Sequence, residues 1–150
     1  RNNEPYLIEY NIRMGDPECQ VLMMDLETDL VKILDYATLN KISNLKIKWN
    51  KKKIITFVLC ANGYPLNYVK DKEIKNLNNF KSDQDIQIFH AGTYEKDNKI
   101  YSNGGRVLNI TSSAKSMDEA RKKSLSYLKR LNWIDGFYRK DIGLKATKNR

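Results

Sequence analysis

The chain has 150 residues, 41% of them apolar, enough for one packed domain or for one domain and part of another. No apolar run approaches the roughly 20 residues of a membrane span, and no secretory leader is visible. The net charge of +9 comes mostly from lysines scattered along the chain beside abundant asparagine, a compositional bias rather than a basic face built for nucleic acid.

The opening Arg1-Asn2-Asn3-Glu4-Pro5, without an initiator Met or a capping pattern, reads as the cut or processed edge of something longer. Residues 5–13 alternate, with Tyr6, Ile8, Tyr10 and Ile12 on one side and Leu7, Glu9, Asn11 and Arg13 on the other. That is the period of a strand with one apolar face and one mainly polar face. Gly15-Asp16-Pro17 breaks it. Residues 18–27 have a helical pattern, and Thr28 can cap a second short helix with Leu30, Ile33, Leu34 and Ala37 on one stripe. The lysine-rich stretch 38–53 reads as a solvated linker and a domain boundary.

Ile54 to Ala61 is a continuous apolar, β-branched run and predicts a buried strand. Asn62-Gly63-Tyr64-Pro65 is a turn, and 66–82 is polar and irregular. Residues 85–91 predict a strand with Ile86 and Ile88 on one face. Glu95 to Lys99 is a hairpin-like turn, and Ile100 to Thr111 reads as one strand with Gly104-Gly105 inside it, as a bulge or a close backbone approach to a ligand. Ser116-Met117-Asp118-Glu119 fits a capping box that opens a helix to about Leu131, with Ala120, Leu128 and Leu131 near one face. The closing stretch mixes polar and aromatic residues. Cys19 and Cys60, far apart and outside any CxxC spacing, read as free thiols in a reduced compartment. With His90 the sole histidine, a Cys/His zinc site lacks ligands.

The segment with most chemical content runs from Ile8 to Glu18. On a strand, Glu9, Asn11 and Arg13 project from one face about 6.5–7 Å apart. A carboxylate and an amide carbonyl are hard oxygen ligands of the kind magnesium takes together with phosphate oxygens and water. An Arg two residues on can clamp a carboxylate or phosphate in bidentate fashion. The face could therefore hold a metal–phosphate complex; as a bare pattern it equally describes a solvated strand face.

The wider string Ile8-Glu9-Tyr10-Asn11-Ile12-Arg13-Met14-Gly15-Asp16-Pro17-Glu18-Cys19-Gln20 resembles the late ATP-grasp strand of the phosphoribosylamine–glycine ligases. Further resemblances follow in the same order: Gly63-Tyr64-Pro65, His90-Ala91-Gly92-Thr93, Gly104-Gly105-Arg106-Val107 and Asp135-Gly136-Phe137-Tyr138-Arg139-Lys140-Asp141-Ile142-Gly143. Stretches 38–53 and 66–82 carry little of it. The resemblance implies a fold of class α+β, with the end of an ATP-grasp domain (1–45) followed by a small C-terminal domain of mixed β-sheet plus helix (46–150).

It also implies ATP-dependent joining of glycine to 5-phosphoribosylamine through glycyl phosphate, in purine biosynthesis. Glu9 and Asn11 would be magnesium or manganese ligands, with ATP as co-substrate. Arg13 would hold the acyl substrate and Asp16 the glycine amine, while Gly104, Gly105 and Arg106 would face the phosphoribosylamine. The expected enzyme is cytoplasmic and monomeric, with no nucleic-acid or membrane partner, and this chain packs on the rest of it. A glycine-rich phosphate loop, a phosphate-binding Lys and an adenine pocket are not recognisable here, so the chain alone is expected to be inactive. Two other readings stand beside this one, another ATP-grasp carboxylate–amine ligase and a basic nucleic-acid-binding module.

Overall fold

The computed structural model describes residues 3–81 and 83–148, so Arg1, Asn2, Ser82, Asn149 and Arg150 lie outside it. The chain is of mixed α and β structure. Its centre is a four-stranded sheet in the order β2 (Ile86–His90), β5 (Arg106–Ala114), β1 (Lys53–Ala61), β6 (Gly136–Phe137), every pairing antiparallel. A hairpin, β3 (Thr93–Lys96) and β4 (Lys99–Ser102), stands apart as a second sheet. Its turn residues Asp97 and Asn98 have φ of 52° and 58°, a left-handed conformation that Asp and Asn tolerate.

The register assigns the two faces of the sheet. Ile55 lies opposite Ser112, Phe57 opposite Ile110 and Leu59 opposite Leu108. The long helix α3 (Met117–Leu131) covers this face with its buried stripe Ala120, Ser124, Leu128 and Leu131. Two of its partners are polar. Ser112 Oγ donates to the Ala120 carbonyl at 2.6 Å and lies 2.7 Å from Ser124 Oγ, so the buried hydroxyls are satisfied. The capping box is present as the sequence predicts, with Ser116 accepting from the Glu119 amide and Glu119 accepting from the Ser116 amide.

The opposite face carries Thr56 and Val58, with Thr111 and Asn109 as their cross-strand partners. The short helix α1 (Glu18–Asp25) packs over its near end and buries no residue of its own. Asn109 is fully buried here, and neither polar atom of its side chain has a hydrogen-bond partner among the described residues.

Several expectations need correction. Residues 5–13 form no strand and pair with nothing among the described residues, the chain bends at 12–13, and Ile8 and Ile12 are 93% and 98% exposed. A ladder needs a neighbouring edge, and this chain offers that segment none. Helix α2 (Leu30–Thr38) is capped by Asp29, whose carboxylate accepts from the Lys32 amide, while Thr28 Oγ1 accepts instead from the Lys48 amide. The 38–53 stretch is partly tied down, with Leu26 bridging to Trp49 and the Asn50 amide donating to the Asp25 carbonyl. Residues 66–81 are irregular but contribute Ile74 and Leu77 to the core. The run from Ile100 to Thr111 is two strands in different sheets, with Gly104-Gly105 between them rather than inside one. No described helix is long and apolar enough to cross a membrane.

Asp85, beside the first residue of β2, ties the edge of the sheet to its neighbours. Its carboxylate accepts from Lys52 Nζ and Ser113 Oγ, with Lys123 nearby. These hydrogen bonds, that from Lys52 first, hold the Asp85 carboxyl below its ordinary value. A lowered folded-state value means that the stabilisation is complete above the ordinary aspartate pKa of about 3.9 and is lost as pH falls through the lowered value. Asp85→Asn should therefore lose stability at neutral pH and flatten the acid limb of the pH–stability curve, read by thermal unfolding between neutrality and acid.

Candidate functional site

In the segment after Pro5, the side chains of Glu9 and Asn11, two residues apart, come together. Asn11 Nδ2 donates to Glu9 Oε1 at 2.9 Å. The pair presents a carboxylate and an amide on the same side of the chain, a donor set of the hard-oxygen kind that suits magnesium shared with phosphate oxygens. Arg13 does not join them, because its Nη1 donates to the Met14 carbonyl at 3.1 Å. No group of three or more His, Cys, Asp or Glu side chains that could hold a metal ion forms among the described residues.

Asp16 is far more tightly held. Arg106 Nη1 donates to the Asp16 carbonyl at 2.9 Å, and Arg106 Nη2 pairs with Asp16 Oδ2 at 3.0 Å. Gln20 Nε2, one turn along α1, donates to Asp16 Oδ1 at 3.1 Å. The neighbouring Gly15 amide donates to Glu18 Oε2 at 2.9 Å, which closes the turn into α1. Asp16 is thereby fixed at its carbonyl and at both carboxylate oxygens. Gln20 is a residue the sequence reading did not single out; its only signal was membership of the Asp16-Pro17-Glu18-Cys19-Gln20 string.

A one-residue offset explains how Arg106 gets there. Leu59 pairs with Leu108, but Cys60 pairs with Arg106, leaving Val107 without a partner on β1. Strict alternation would send Arg106 to the α3 face. The bulge returns it to the face that carries Cys60 and α1, which is where Asp16 sits.

The two glycines before Arg106 are close-contact positions. A Cβ on Gly104 would stand 2.9 Å from the Gly92 Cα, and one on Gly105 would stand 2.2 Å from Tyr64 Cδ2. Around them the Gly92 amide donates to the Arg106 carbonyl at 2.9 Å and the Asn103 amide to the Gly92 carbonyl at 2.8 Å. The His90-Ala91-Gly92-Thr93 and Gly104-Gly105-Arg106 segments, remote in sequence, thus form one seam. His90 finds its partner locally, its Nδ1 lying 2.9 Å from Thr93 Oγ1.

Between α1 and the sheet runs an open groove of about 670 Å³, lined chiefly by Pro17, Val21, Val58, Tyr64, Phe137 and Tyr138. Cys60 lines it as well. Burial pushes its thiol up, and the Arg106 guanidinium opposes this more weakly. Such a thiol is a poor nucleophile at neutral pH.

Comparison with known proteins gives a consistent result. Residues 54–145 match the family described as phosphoribosylglycinamide synthetase, C domain. A protein of Brucella melitensis named phosphoribosylamine–glycine ligase is 43% identical over 144 residues, which is 96% of this chain and 34% of that protein. A chloroplastic phosphoribosylamine–glycine ligase of Arabidopsis thaliana is 42% identical over 148 residues, 97% of this chain and 28% of that one. The crystal structure of the Thermotoga maritima phosphoribosylamine–glycine ligase superposes with a TM-score of 0.68 at 32% identity, covering 93% of this chain and 34% of that one. The chain thus spans about a third of the length of the relatives it matches.

The crowding at Gly105 makes a direct prediction. Gly105→Ala should destabilise the fold by about 1–3 kcal/mol through overpacking against the Tyr64 ring, seen as a fall in unfolding midpoint. An alanine variant as stable as the parent would mean that the ring moves aside freely.

Proposed function

The chain belongs to the phosphoribosylglycinamide synthetase C-domain family, and on that footing we propose that it is the carboxy-terminal part of an enzyme that joins glycine to 5-phosphoribosylamine at the expense of ATP. The products are glycinamide ribonucleotide, ADP and phosphate. The observation that carries this reading is the meeting of Glu9 and Asn11, two oxygen-bearing side chains hydrogen-bonded at 2.9 Å on one side of the segment where such a ligase binds its metal.

In this reading the glycine carboxylate attacks the γ-phosphoryl group of ATP, giving glycyl phosphate and ADP. The amine of phosphoribosylamine then attacks the acyl carbon and expels phosphate. The first step gathers negative charge, so the residues that matter are those that position and neutralise it. Glu9 and Asn11 would hold magnesium or manganese, which would supply Lewis-acid neutralisation of the phosphate oxygens. Arg13 turns from its own backbone to the acyl carboxylate, and Asp16 faces the glycine amine. Gly104, Gly105 and Arg106 border the same turn, on the side where the phosphoribosylamine approaches. Glycyl phosphate hydrolyses if water reaches it, so an enclosed site serves the second step. No nucleophilic side chain is required.

The domain division at 45/46 belongs to the same proposal. Among the described residues none before Ile55 is buried, whereas Tyr6, Ile8, Ile12, Val31 and Leu34 are exposed. Apolar side chains at a period of two on the extended segment and along α2 suit packing against a further domain, the remaining two thirds of such a ligase. The complete enzyme in this reading acts as a monomer in the cytoplasm.

Two outcomes test the proposal. In the complete enzyme Glu9→Gln should leave the fold intact while lowering turnover by about 100-fold and raising the magnesium needed for half-maximal rate, with Asn11→Ala milder. Normal magnesium dependence in Glu9→Gln would leave Glu9 a surface residue. The 150-residue chain by itself should release no ADP in response to glycine, and appreciable release in a coupled assay would contradict the division of the site between this chain and the rest.

A further inference from the structure

We infer that Arg106 is a positioning residue of the proposed ligase, acting through Asp16 rather than on the phosphoribosylamine itself. The inference rests on the ligase reading for its consequence, but its geometry stands independently. The guanidinium reaches across 90 residues of sequence to bind one amino acid twice, at the Asp16 carbonyl (2.9 Å) and at Oδ2 (3.0 Å). Such two-point capture, from two separate nitrogens of a planar fork, fixes both a side chain and the peptide that carries it, a geometry the compact ammonium of lysine does not offer. Gln20 completes the hold at Oδ1, and Glu18 fixes the preceding amide of Gly15.

The surrounding fold serves this contact. The unpaired Val107 turns Arg106 to the α1 face, and Gly104 and Gly105 let its backbone lie against Gly92 and Tyr64 where any side chain would collide. The Gly-Gly-Arg segment is therefore a bracket. It ties the start of the interior strand β5 to the turn that follows the Glu9, Asn11 and Arg13 segment. Both partners are partly exposed, at 41% and 44% of their side-chain surface, so the pair borders solvent. With its donors on Asp16, Arg106 sets the orientation of the carboxylate that meets glycine.

The test uses the complete enzyme, with Arg106→Met and Arg106→Lys. Amide hydrogen exchange at residues 15–20, measured without substrates, should speed up by about tenfold in Arg106→Met while exchange along β5 stays as in the parent. In steady state the KM for glycine should rise by about tenfold, with the KM for phosphoribosylamine within about twofold of the parent. Arg106→Lys should fall between the two. Combining Arg106→Met with Asp16→Asn should cost no more than the worse single variant, because both break one unit.

A raised KM for phosphoribosylamine with unchanged exchange at 15–20 would overturn the inference in favour of direct substrate contact. Faster exchange with unchanged glycine KM would reduce the contact to a fold strut and also overturn it. Should Arg106→Met not fold, Arg106→Lys carries the same comparison, and parental exchange and kinetics in that variant would refute the bidentate hold. If the parent enzyme itself releases no ADP with glycine and phosphoribosylamine, the ligase reading fails, and with it the catalytic role of Arg106, while the exchange data still decide whether it holds the turn.

Discussion

Strand β5 is closed in on almost every side, and the rest of the molecule is arranged by that confinement. β2 and β1 occupy its two edges, and α3 lies on one face. Seven consecutive residues, Val107 to Ser113, are buried. Polar groups on a strand shut in this way are for the most part matched. Ser112 is matched by Ser124 and the Ala120 carbonyl, and Thr111 by Thr56. Asn109 has no such match among the described residues. The confinement ends at Arg106, the first residue of the strand and the first with solvent beside it. Rigidity at the origin of that side chain is what allows it to hold something else still.

The molecule accordingly divides by burial. From Ile55 onward there is a core of aliphatic and aromatic side chains built on β1, β5 and α3. Before it lie an extended segment and two helices with no buried residue, joined to the sheet by α1 and by the Arg106–Asp16 pair. The Glu9–Asn11 pair is in the first part, and the groups that hold the adjoining turn are in the second. Catalytic geometry needs its reacting groups held to a fraction of an ångström by neighbours that are themselves locked. The end of a buried interior strand, reaching onto a segment with no buried residue, meets that requirement economically.

Much of this was legible in the residues. Helix α3 announced itself through its capping box and stripe, and β1 through its run of β-branched side chains. Glu9 and Asn11 meet, but without the strand expected there, and Arg13, expected on the same face, turns to the Met14 carbonyl. What escaped has physical reasons. Ile74 and Leu77 are single apolar residues in a polar stretch with no period, so nothing local marked them as core. Thr28 and Asp29 are adjacent capping residues, and only the approach of Lys48 decides between them. The partnership of Arg106 with Asp16 turns on a one-residue bulge, and no spacing rule reports which way a side chain points after one. Gly104 and Gly105 were recognised as special, but the object they approach is Gly92 and Tyr64 of the same chain.

The extended opening segment has a consequence beyond the reaction. Between Pro5 and Met14 the backbone leaves a row of amide and carbonyl groups outside any ladder among the described residues, with tyrosine and isoleucine alternating along it. That is the surface on which a second polypeptide adds as a strand. Where such a segment is uncovered, strand addition by a second copy is opposed by the mutual repulsion of the chain's nine excess positive charges. Raising the ionic strength would weaken that restraint, so salt, usually added to keep a basic protein in solution, would here favour its precipitation.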